Sequence, residues 1–293
     1  MQFKSGAELL RLCDENRLPI SAVMLRRESE IQGSSGEALI ADMAGSYEVM
    51  KRGARKALTD PRPSMGGLIG GEAAKLAARR EKTKPVCGAV MSRAACYAMG
   101  IMETNASMGL IVAAPTAGSS GVLPGVLLAV EEEFGLDQSS MIPPLFTAAA
   151  IGYLITRNAT VSGAEGGCQA EVGTASAMAA ASVAELMGAS PSFCLAAASS
   201  ALANMLGLVC DPVAGLVEVP CQKRNALGAA NALVSAELAL SGVGELIPFD
   251  EMVDVLFRVG QRIPVELRET ALGGIAASPT ACSITARLKH GSL

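Results

Sequence analysis

Apolar residues recur at helical spacing through the first 57 residues, where leucine, isoleucine, valine and methionine return every three to four positions between charged side chains. This period is typical of amphipathic helices, so we predict helices with one polar face over residues 6–57. The stretch 59–71, TDPRPSMGGLIGG, holds two prolines and four glycines and predicts a loop. The charged stretch 72–84 predicts another helix, which ends before Pro85.

Beyond residue 85 the pattern changes to long runs of alanine, serine, methionine and leucine, such as TASAMAAASVAEL over residues 174–186. Small residues let helices approach closely, and the alternation of a β-strand is nowhere sustained. We therefore predict an all-α fold, a compact multi-helix bundle with glycine-rich loops at its candidate site. One domain, 1–293, is the simplest organisation, with polar N-terminal helices over 1–60 and the core over 61–293.

The composition agrees with this pattern. Half of the 293 residues are hydrophobic and 18% are charged, yet tryptophan is absent and aromatic residues make up 3%. Such a composition favours close-packed helices over a sheet sandwich, which needs β-branched and aromatic residues. The net charge of −4, without a long basic run, argues against a nucleic-acid-binding protein.

A mean hydropathy of +0.37 raises the question of membrane spans, because residues 104–130, 138–156 and 186–210 lack Asp, Glu, Lys and Arg. Prolines, glycines and polar residues interrupt or dilute these stretches, so we expect buried helices and loops and no membrane span. The N-terminus carries acidic residues and no uninterrupted apolar core, which is unlike a signal peptide. We therefore expect a cytoplasmic protein.

The eight cysteines are expected to be thiols or metal ligands, because a reducing compartment disfavours disulfides. Cys168, Cys210 and Cys221 lie beside or near glycine or proline at predicted helix boundaries. There a thiolate can point away from the helix packing towards free backbone N–H groups, which suits a metal site. Four other cysteines, in or beside apolar helical patterns, are predicted to pack in the core: Cys13, Cys87, Cys96 and Cys194.

The spacing of the three turn cysteines leaves a metal site and ordinary turn residues both open, because it contains no CxxC pair. Zinc usually takes four ligands from paired motifs or histidines, and the single histidine here is His290. A site made only of three thiolates points instead to a [4Fe-4S] cluster, since such a set leaves one iron open to substrate.

The loop 113–125, AAPTAGSSGVLPG, concentrates hydroxyls and backbone N–H groups ahead of a predicted helix and could cradle a carboxylate or phosphate. It lacks the lysine of a P-loop and the preceding strand of a dinucleotide fingerprint, and a purely structural turn is the alternative. The basic residues Lys223 and Arg224, which follow Cys221, could bind the same anion or could only stabilise their own loop electrostatically. The candidate substrate-binding residues are Thr116, Gly118, Ser119, Ser120, Gly121, Lys223 and Arg224.

Four motifs together resemble one known family: APTAGSSGVLPG, SGAEGGCQAEVG, CDPVAGLVEVPCQKRNALGAANA and ETALGGIAASPT. They are similar to the α domain of iron-sulfur-dependent L-serine dehydratases, over a stretch from about Ser64 to Ala286. The resemblance implies that Cys168, Cys210 and Cys221 are the three ligands of a [4Fe-4S] cluster, within a cluster-binding core over 61–293.

The resemblance also implies the reaction, which converts L-serine to pyruvate and ammonia. The open iron would bind the carboxylate and β-hydroxyl of serine and act as a Lewis acid on the departing hydroxide. A base would remove the α-proton, and the resulting aminoacrylate would tautomerise and hydrolyse. The protein must therefore supply an open iron, a carboxylate cradle and a base.

The chain offers no obvious base, since His290 lies in the tail segment RLKHGSL, where an exposed histidine is expected. Single-chain members of the family carry a β domain on the same polypeptide, so the resemblance implies an oligomer with a separate β subunit that brings the base. Some members place a C-terminal cysteine on the open iron, a role for which Cys282 is the candidate. The acids near the cysteines are expected to cap helix starts: Glu165, Glu171, Asp211 and Glu218.

Two alternatives remain open. A related [4Fe-4S] lyase would act on cysteine or threonine by the same β-elimination, and turnover of the three amino acids separates these. A non-catalytic helical scaffold subunit, whose cysteines hold nothing, would take up no iron on anaerobic reconstitution.

Overall fold

The computed structural model describes residues 1–289 and confirms the predicted all-α fold. Within that range, strand-like backbone pairing is found as one isolated bridge, between Cys210 and Arg268. The thirteen α-helices of the described chain are α1 Gly6–Asn16, α2 Ile20–Gln32, α3 Gly36–Thr59, α4 Glu72–Lys82, α5 Ala89–Ala106, α6 Val122–Phe134, α7 Ile142–Asn158, α8 Gly163–Gly166, α9 Thr174–Leu186, α10 Pro191–Ala203, α11 Cys221–Leu240, α12 Phe249–Arg262 and α13 Pro279–Lys289.

The N-terminal helices begin and end where the sequence supplies caps. The hydroxyl of Ser5 accepts a hydrogen bond from Glu8 N at 3.1 Å, at the start of α1. Ser35 caps α3 in the same way, accepting from Ala38 N at 3.2 Å. These oxygens satisfy N–H groups that a first helical turn leaves without partners. The loop predicted over 59–71 is confirmed for residues 60–71, because Thr59 is the last residue of α3 and α4 begins at Glu72.

Helix α9 lies at the centre of the molecule. Every residue from Thr174 to Ala184 is buried, and the helix packs against α6, α7, α10 and α11. Its side chains are mostly those of alanine and serine, so neighbouring helices can approach closely. Helix α5 packs against α6 and α11 and completes this central group.

The polar N-terminal helices share the same apolar core. Phe3 and Ile20 are buried in the cluster that also contains the central helices. Tyr47 of α3, fully buried, donates its hydroxyl hydrogen bond to Glu131 of α6 at 3.1 Å, and Lys51 pairs with the same carboxylate at 3.0 Å. These contacts tie α3 to the core through buried polar groups as well as through apolar packing.

One stretch of the described chain, Gln138–Asn158, is long and apolar enough to cross a membrane by length and composition, with a mean hydropathy of 1.3. In the fold, 67% of its apolar window is buried against the rest of the protein. A core helix passes the same test, and α7, which makes up most of this stretch, packs against α2 and α9.

Close approach of α5 and α6 depends on Gly125. A Cβ atom at this position would lie 2.8 Å from the carbonyl oxygen of Ala94 and 2.9 Å from the Cβ of Ala98. Backbone atoms of α5 have little room to give, so we expect Gly125→Ala to lower the free energy of unfolding by about 1–3 kcal/mol in urea titrations. Gly45→Ala, in open space inside α3, should be neutral or stabilising by up to about 1 kcal/mol. Equal effects of the two changes would contradict this explanation.

Candidate active site

Cys168 lies between a glycine with positive φ and a π-helical turn. Gly167 precedes it with a φ of 76°, which a residue with a side chain rarely adopts, and the π-helical turn Gln169–Gly173 follows. Gln169 is fully buried and fixes this turn, because its Oε1 accepts from Gly207 N and its Nε2 donates to Leu256 O, both at 2.8 Å. π-helical turns are rare and frequently occur at functional sites.

The sequence predicted a helix boundary at Cys210, and this prediction is wrong. Cys210 lies in an extended segment between α10 and α11. Its backbone is held on both sides by one neighbouring segment. Cys210 N donates to Leu267 O at 2.8 Å, and Cys210 O accepts from Glu269 N at 2.7 Å. The position of this thiol therefore depends on chain that is almost sixty residues further along the sequence.

Cys221 is the first residue of α11, and the residues around it are anchored to the loop after α3. The buried carboxylate of Glu218 accepts from Ser64 Oγ at 2.5 Å, from Gly66 N at 2.7 Å and from Leu68 N at 3.0 Å. All three donors lie on a loop. The expectation that Glu218 caps a helix start is therefore wrong.

The three cysteines meet at one cavity of about 260 Å³. The sulfurs of Cys168 and Cys210 and a carboxylate oxygen of Glu171 lie within 4.8 Å of one another, an arrangement able to hold a metal ion. All three thiols are buried from bulk solvent. The lining residues are Thr116, Ala117, Gly118, Cys168, Glu171, Val172, Cys210, Pro212, Val217, Cys221 and Glu269.

The thiols of the cavity differ in their electrostatic surroundings. Hydrogen bonding with Cys210, followed by the positive charge of Arg224, lowers the pKa of Cys168 although burial opposes the change. Sharing that proton with Cys168, together with burial, raises the pKa of Cys210 far above its ordinary value. Burial raises the pKa of Cys221 to about 12. Cys168 is therefore the thiol of the three that ionises most readily.

The carboxyl group of Glu171 also faces this cavity. Burial raises the pKa of Glu171 to about 7, the negative charge of Glu269 adds to the rise, and a hydrogen bond from Thr116 opposes it. That hydrogen bond runs from Thr116 Oγ1 to Glu171 Oε1 at 2.8 Å. Of the acids that the sequence assigned to helix caps, Glu171 is the one that lines the cavity.

Lys223 and Arg224, the basic residues after Cys221, have different surroundings. Lys223 is exposed and does not line the cavity. Arg224 lies behind Cys168, with its Nη1 3.6 Å from the sulfur, 2.8 Å from the carboxylate of Asp211 and 2.8 Å from Val209 O. Arg224 therefore holds the cysteine segments together, with Asp211 as its partner. The second carboxylate oxygen of Asp211 accepts from Ile275 N at 2.6 Å, in the first turn of the 3-10 helix Gly274–Ala277, so Asp211 also serves that helix start as expected.

The predicted cradle loop is shorter than the sequence suggested. Helix α6 begins at Val122, so Pro124 and Gly125 lie in its first turn, and Ala117–Ser119 forms a 3-10 turn before it. The first turn of a helix tolerates proline because its N–H groups have no helical acceptor. The loop proper therefore ends at Gly121.

Only part of the cradle faces the cavity. Thr116 and Gly118 line it. Ser119 is fully buried with its hydroxyl 3.0 Å from that of Thr116, and Ser120 donates to Ala117 O at 2.8 Å. Gly121 packs against the backbone of α5. These three residues support the turn rather than line the cavity.

Asn225 links the cradle to the third cysteine. This fully buried residue of α11 accepts from Gly121 N at 3.0 Å and donates to Gly118 O at 2.8 Å and to Cys221 O at 2.9 Å. Asn225 is not among the candidate residues predicted from the sequence. Its position four residues after Cys221, one turn along the same helix, is the signal that could have found it.

Other residues singled out by the sequence lie elsewhere. Cys13, Cys96 and Cys194 are buried, as predicted for packing residues, whereas Cys87 is exposed and does not pack in the core. Cys282 is exposed and is not among the residues that line the cavity. His290 lies outside the described residues.

The sequence matches the family model described as "Serine dehydratase alpha chain" over residues 15–276. The chain belongs to this family. It is 45% identical over 291 residues to "Probable L-serine dehydratase, alpha chain" of Bacillus subtilis (strain 168), covering 99% of this chain and 97% of the relative. It is 43% identical over 278 residues to "L-serine dehydratase, alpha chain" of Peptoniphilus asaccharolyticus, covering 95% of each.

Longer relatives match this chain over part of their length. "L-serine dehydratase 2" of Escherichia coli (strain K12) is 37% identical over 287 residues, which cover 96% of this chain but 62% of the relative. The family therefore includes both proteins of about this length and proteins with a substantial additional segment.

Proposed function

We propose that this chain is the α subunit of an L-serine dehydratase, a lyase that converts L-serine to pyruvate and ammonia by β-elimination of water. In this proposal the whole chain, 1–293, acts as one catalytic α domain in the cytoplasm. The observation that carries it is the meeting of three cysteines from separate segments at one cavity, in a chain of the serine dehydratase alpha chain family.

The donor set of the cavity fits a [4Fe-4S] cluster. Cys168, Cys210 and Cys221 offer three soft thiolate ligands, and no fourth cysteine lines the cavity in the described chain. A cluster bound by three thiolates keeps one iron accessible to substrate. Metal binding displaces the protons of its thiol ligands, so protonated, buried cysteines are compatible with this role. When bound, the cluster would supply a Lewis acid for departure of the β-hydroxide.

The chain's own residues would position the cluster ligands and the substrate. Arg224, fixed by Asp211, places a positive charge beside the sulfur of Cys168 and favours the thiolate. Thr116 and Gly118 would receive the carboxylate of serine, supported from behind by Ser119, Ser120 and Gly121. Lys223 is exposed outside the cavity, so the proposal leaves it without a direct substrate contact.

The proposal includes a partner. The longer relatives carry an additional segment beside the portion that this chain matches, which supports a separate β subunit here and an oligomeric enzyme. We assign the base that removes the α-proton to that subunit, because histidine supplies a base near neutral pH most readily. The described residues contain no histidine.

Anaerobic reconstitution with iron and sulfide, followed by assay of the α chain together with its β partner, tests the function. We expect cluster absorbance and pyruvate formation from L-serine, with kcat/KM for L-serine at least about tenfold above the values for L-threonine and L-cysteine. One added methyl group or a changed leaving group alters pocket fit by an amount of this order.

Two results would contradict the proposal in different ways. Preferential turnover of threonine or cysteine would favour the related lyase. A protein that takes up no iron and forms no coloured cluster would favour the non-catalytic scaffold.

A further inference from the structure

The motif ETALGGIAASPT contributes a residue to the cavity that has no role in the function described so far. Its first residue, Glu269, lines the cavity beside the three cysteines. The backbone of Glu269 is fixed by the hydrogen bond from its N–H to Cys210 O at 2.7 Å. Its φ of 64° is uncommon for a residue with a side chain, and such a conformation persists only where neighbouring structure holds it.

The charged groups that line the cavity are all acidic. Glu171 and Glu269 are its carboxylates, and no lysine or arginine lines it in the described chain. Arg224, whose Nη1 lies 3.6 Å from the sulfur of Cys168, is engaged with Asp211. The side of the cavity that carries the two carboxylates is therefore suited to a positively charged group.

The carboxylates of Glu171 and Glu269 differ in whether they are free to contact a bound molecule. Glu171 is half-buried and its Oε1 already accepts the hydrogen bond from Thr116. Glu269 is exposed at the mouth of the cavity, and its carboxylate has no hydrogen-bond or ion-pair partner within residues 1–289. An entering molecule can therefore reach Glu269 without displacing another contact.

An amino-acid substrate presents three polar groups, namely a carboxylate, a side-chain hydroxyl and an ammonium. The cradle at Thr116 and Gly118 and the cysteine side of the cavity are suited to the first two, which leaves the ammonium without an acceptor. We propose that the Glu269 carboxylate binds the α-ammonium group of the amino-acid substrate and so selects amino acids over the corresponding hydroxy acids. This inference rests on the proposed function.

The test compares Glu269→Gln with Glu266→Gln in the reconstituted enzyme with its β partner. Glu266 is a nearby exposed acid that does not line the cavity. The probes are L-serine as substrate and 3-hydroxypropanoate, which keeps the carboxylate and hydroxyl but lacks the ammonium, as inhibitor. Iron content is measured in every sample to confirm equal cluster loading.

We expect Glu269→Gln to raise KM for L-serine about 10- to 100-fold, since a hydrogen bond between charged groups contributes an amount of this order. We expect kcat and the inhibition constant of 3-hydroxypropanoate to change less than about threefold, because neither depends on ammonium binding. Glu266→Gln should leave all three values unchanged.

Three results would overturn this inference while leaving the proposed function intact. An unchanged KM would show that Glu269 does not bind the substrate, and equal weakening of serine and 3-hydroxypropanoate would indicate a structural role. A large fall in kcat at constant KM would assign Glu269 to proton transfer instead. A wild-type enzyme that binds iron but does not turn over serine would overturn the proposed function itself, and this inference with it.

Discussion

Replacement of any one of Cys168, Cys210 or Cys221 by serine should abolish cluster retention and reduce dehydratase activity at least about 100-fold. A serine hydroxyl is a harder ligand than thiolate and binds iron in such clusters poorly. The cavity offers no fourth cysteine within the described chain to take its place. Iron and sulfide analysis, cluster absorbance and pyruvate formation after anaerobic reconstitution measure the effect.

Two other cysteines provide matched controls for these variants. Cys194 is fully buried in α10 away from the cavity, so Cys194→Ser should retain the cluster and cost about 1–3 kcal/mol of stability from a hydroxyl in an apolar site. Cys87 is exposed, and Cys87→Ser should change neither quantity. If Cys194→Ser lost as much iron as the three cavity variants, the assignment of the ligands would be wrong.

The second large effect concerns the partner subunit. The α chain alone, with its cluster rebuilt, should show less than about 1% of the activity measured after the β subunit is added. Removal of the α-proton needs a positioned base, and loss of general base catalysis typically costs about 10²–10⁴-fold. Pyruvate formation from L-serine by the α chain, titrated with the β subunit, measures this directly.

Full activity from the α chain alone would contradict the divided site and place the base in this chain. Glu171→Gln would then be the informative variant, because Glu171 lines the cavity next to two of the cysteines. His290→Ala tests the tail histidine in the same assay. Activity that survives in the mixed enzyme after both changes would support a base on the β subunit.

Glu171 and Glu218 occupy similar positions in the sequence but have different roles in the structure. Both lie within three residues of a candidate ligand cysteine, and both were expected to cap helices. Tertiary contacts separate them, since Glu218 is saturated by three donors from the loop at Ser64–Leu68 whereas Glu171 faces the cavity. Sequence proximity to a cysteine is therefore insufficient to assign a role to a carboxylate.

The sequence by itself determined the helices, because apolar periodicity, capping serines and glycine- or proline-rich breaks act over a few neighbouring residues. It also separated three turn cysteines from the rest through their local surroundings, and the family motifs gave them a common role. Cys87 marks the limit of this sorting, since an apolar neighbourhood in sequence did not make it buried.

Only the tertiary structure decided which of these residues meet. Cys168 precedes a π-helical turn, Cys210 lies in an extended segment and Cys221 begins α11. Their convergence depends on contacts between segments far apart in the chain. The same contacts turn Arg224 inward, leave Lys223 exposed, and bring Glu269 beside Cys210. Local propensity determines where a helix begins and ends. The packing of helices against one another determines which residues face each other in the cavity, and no single segment encodes that packing.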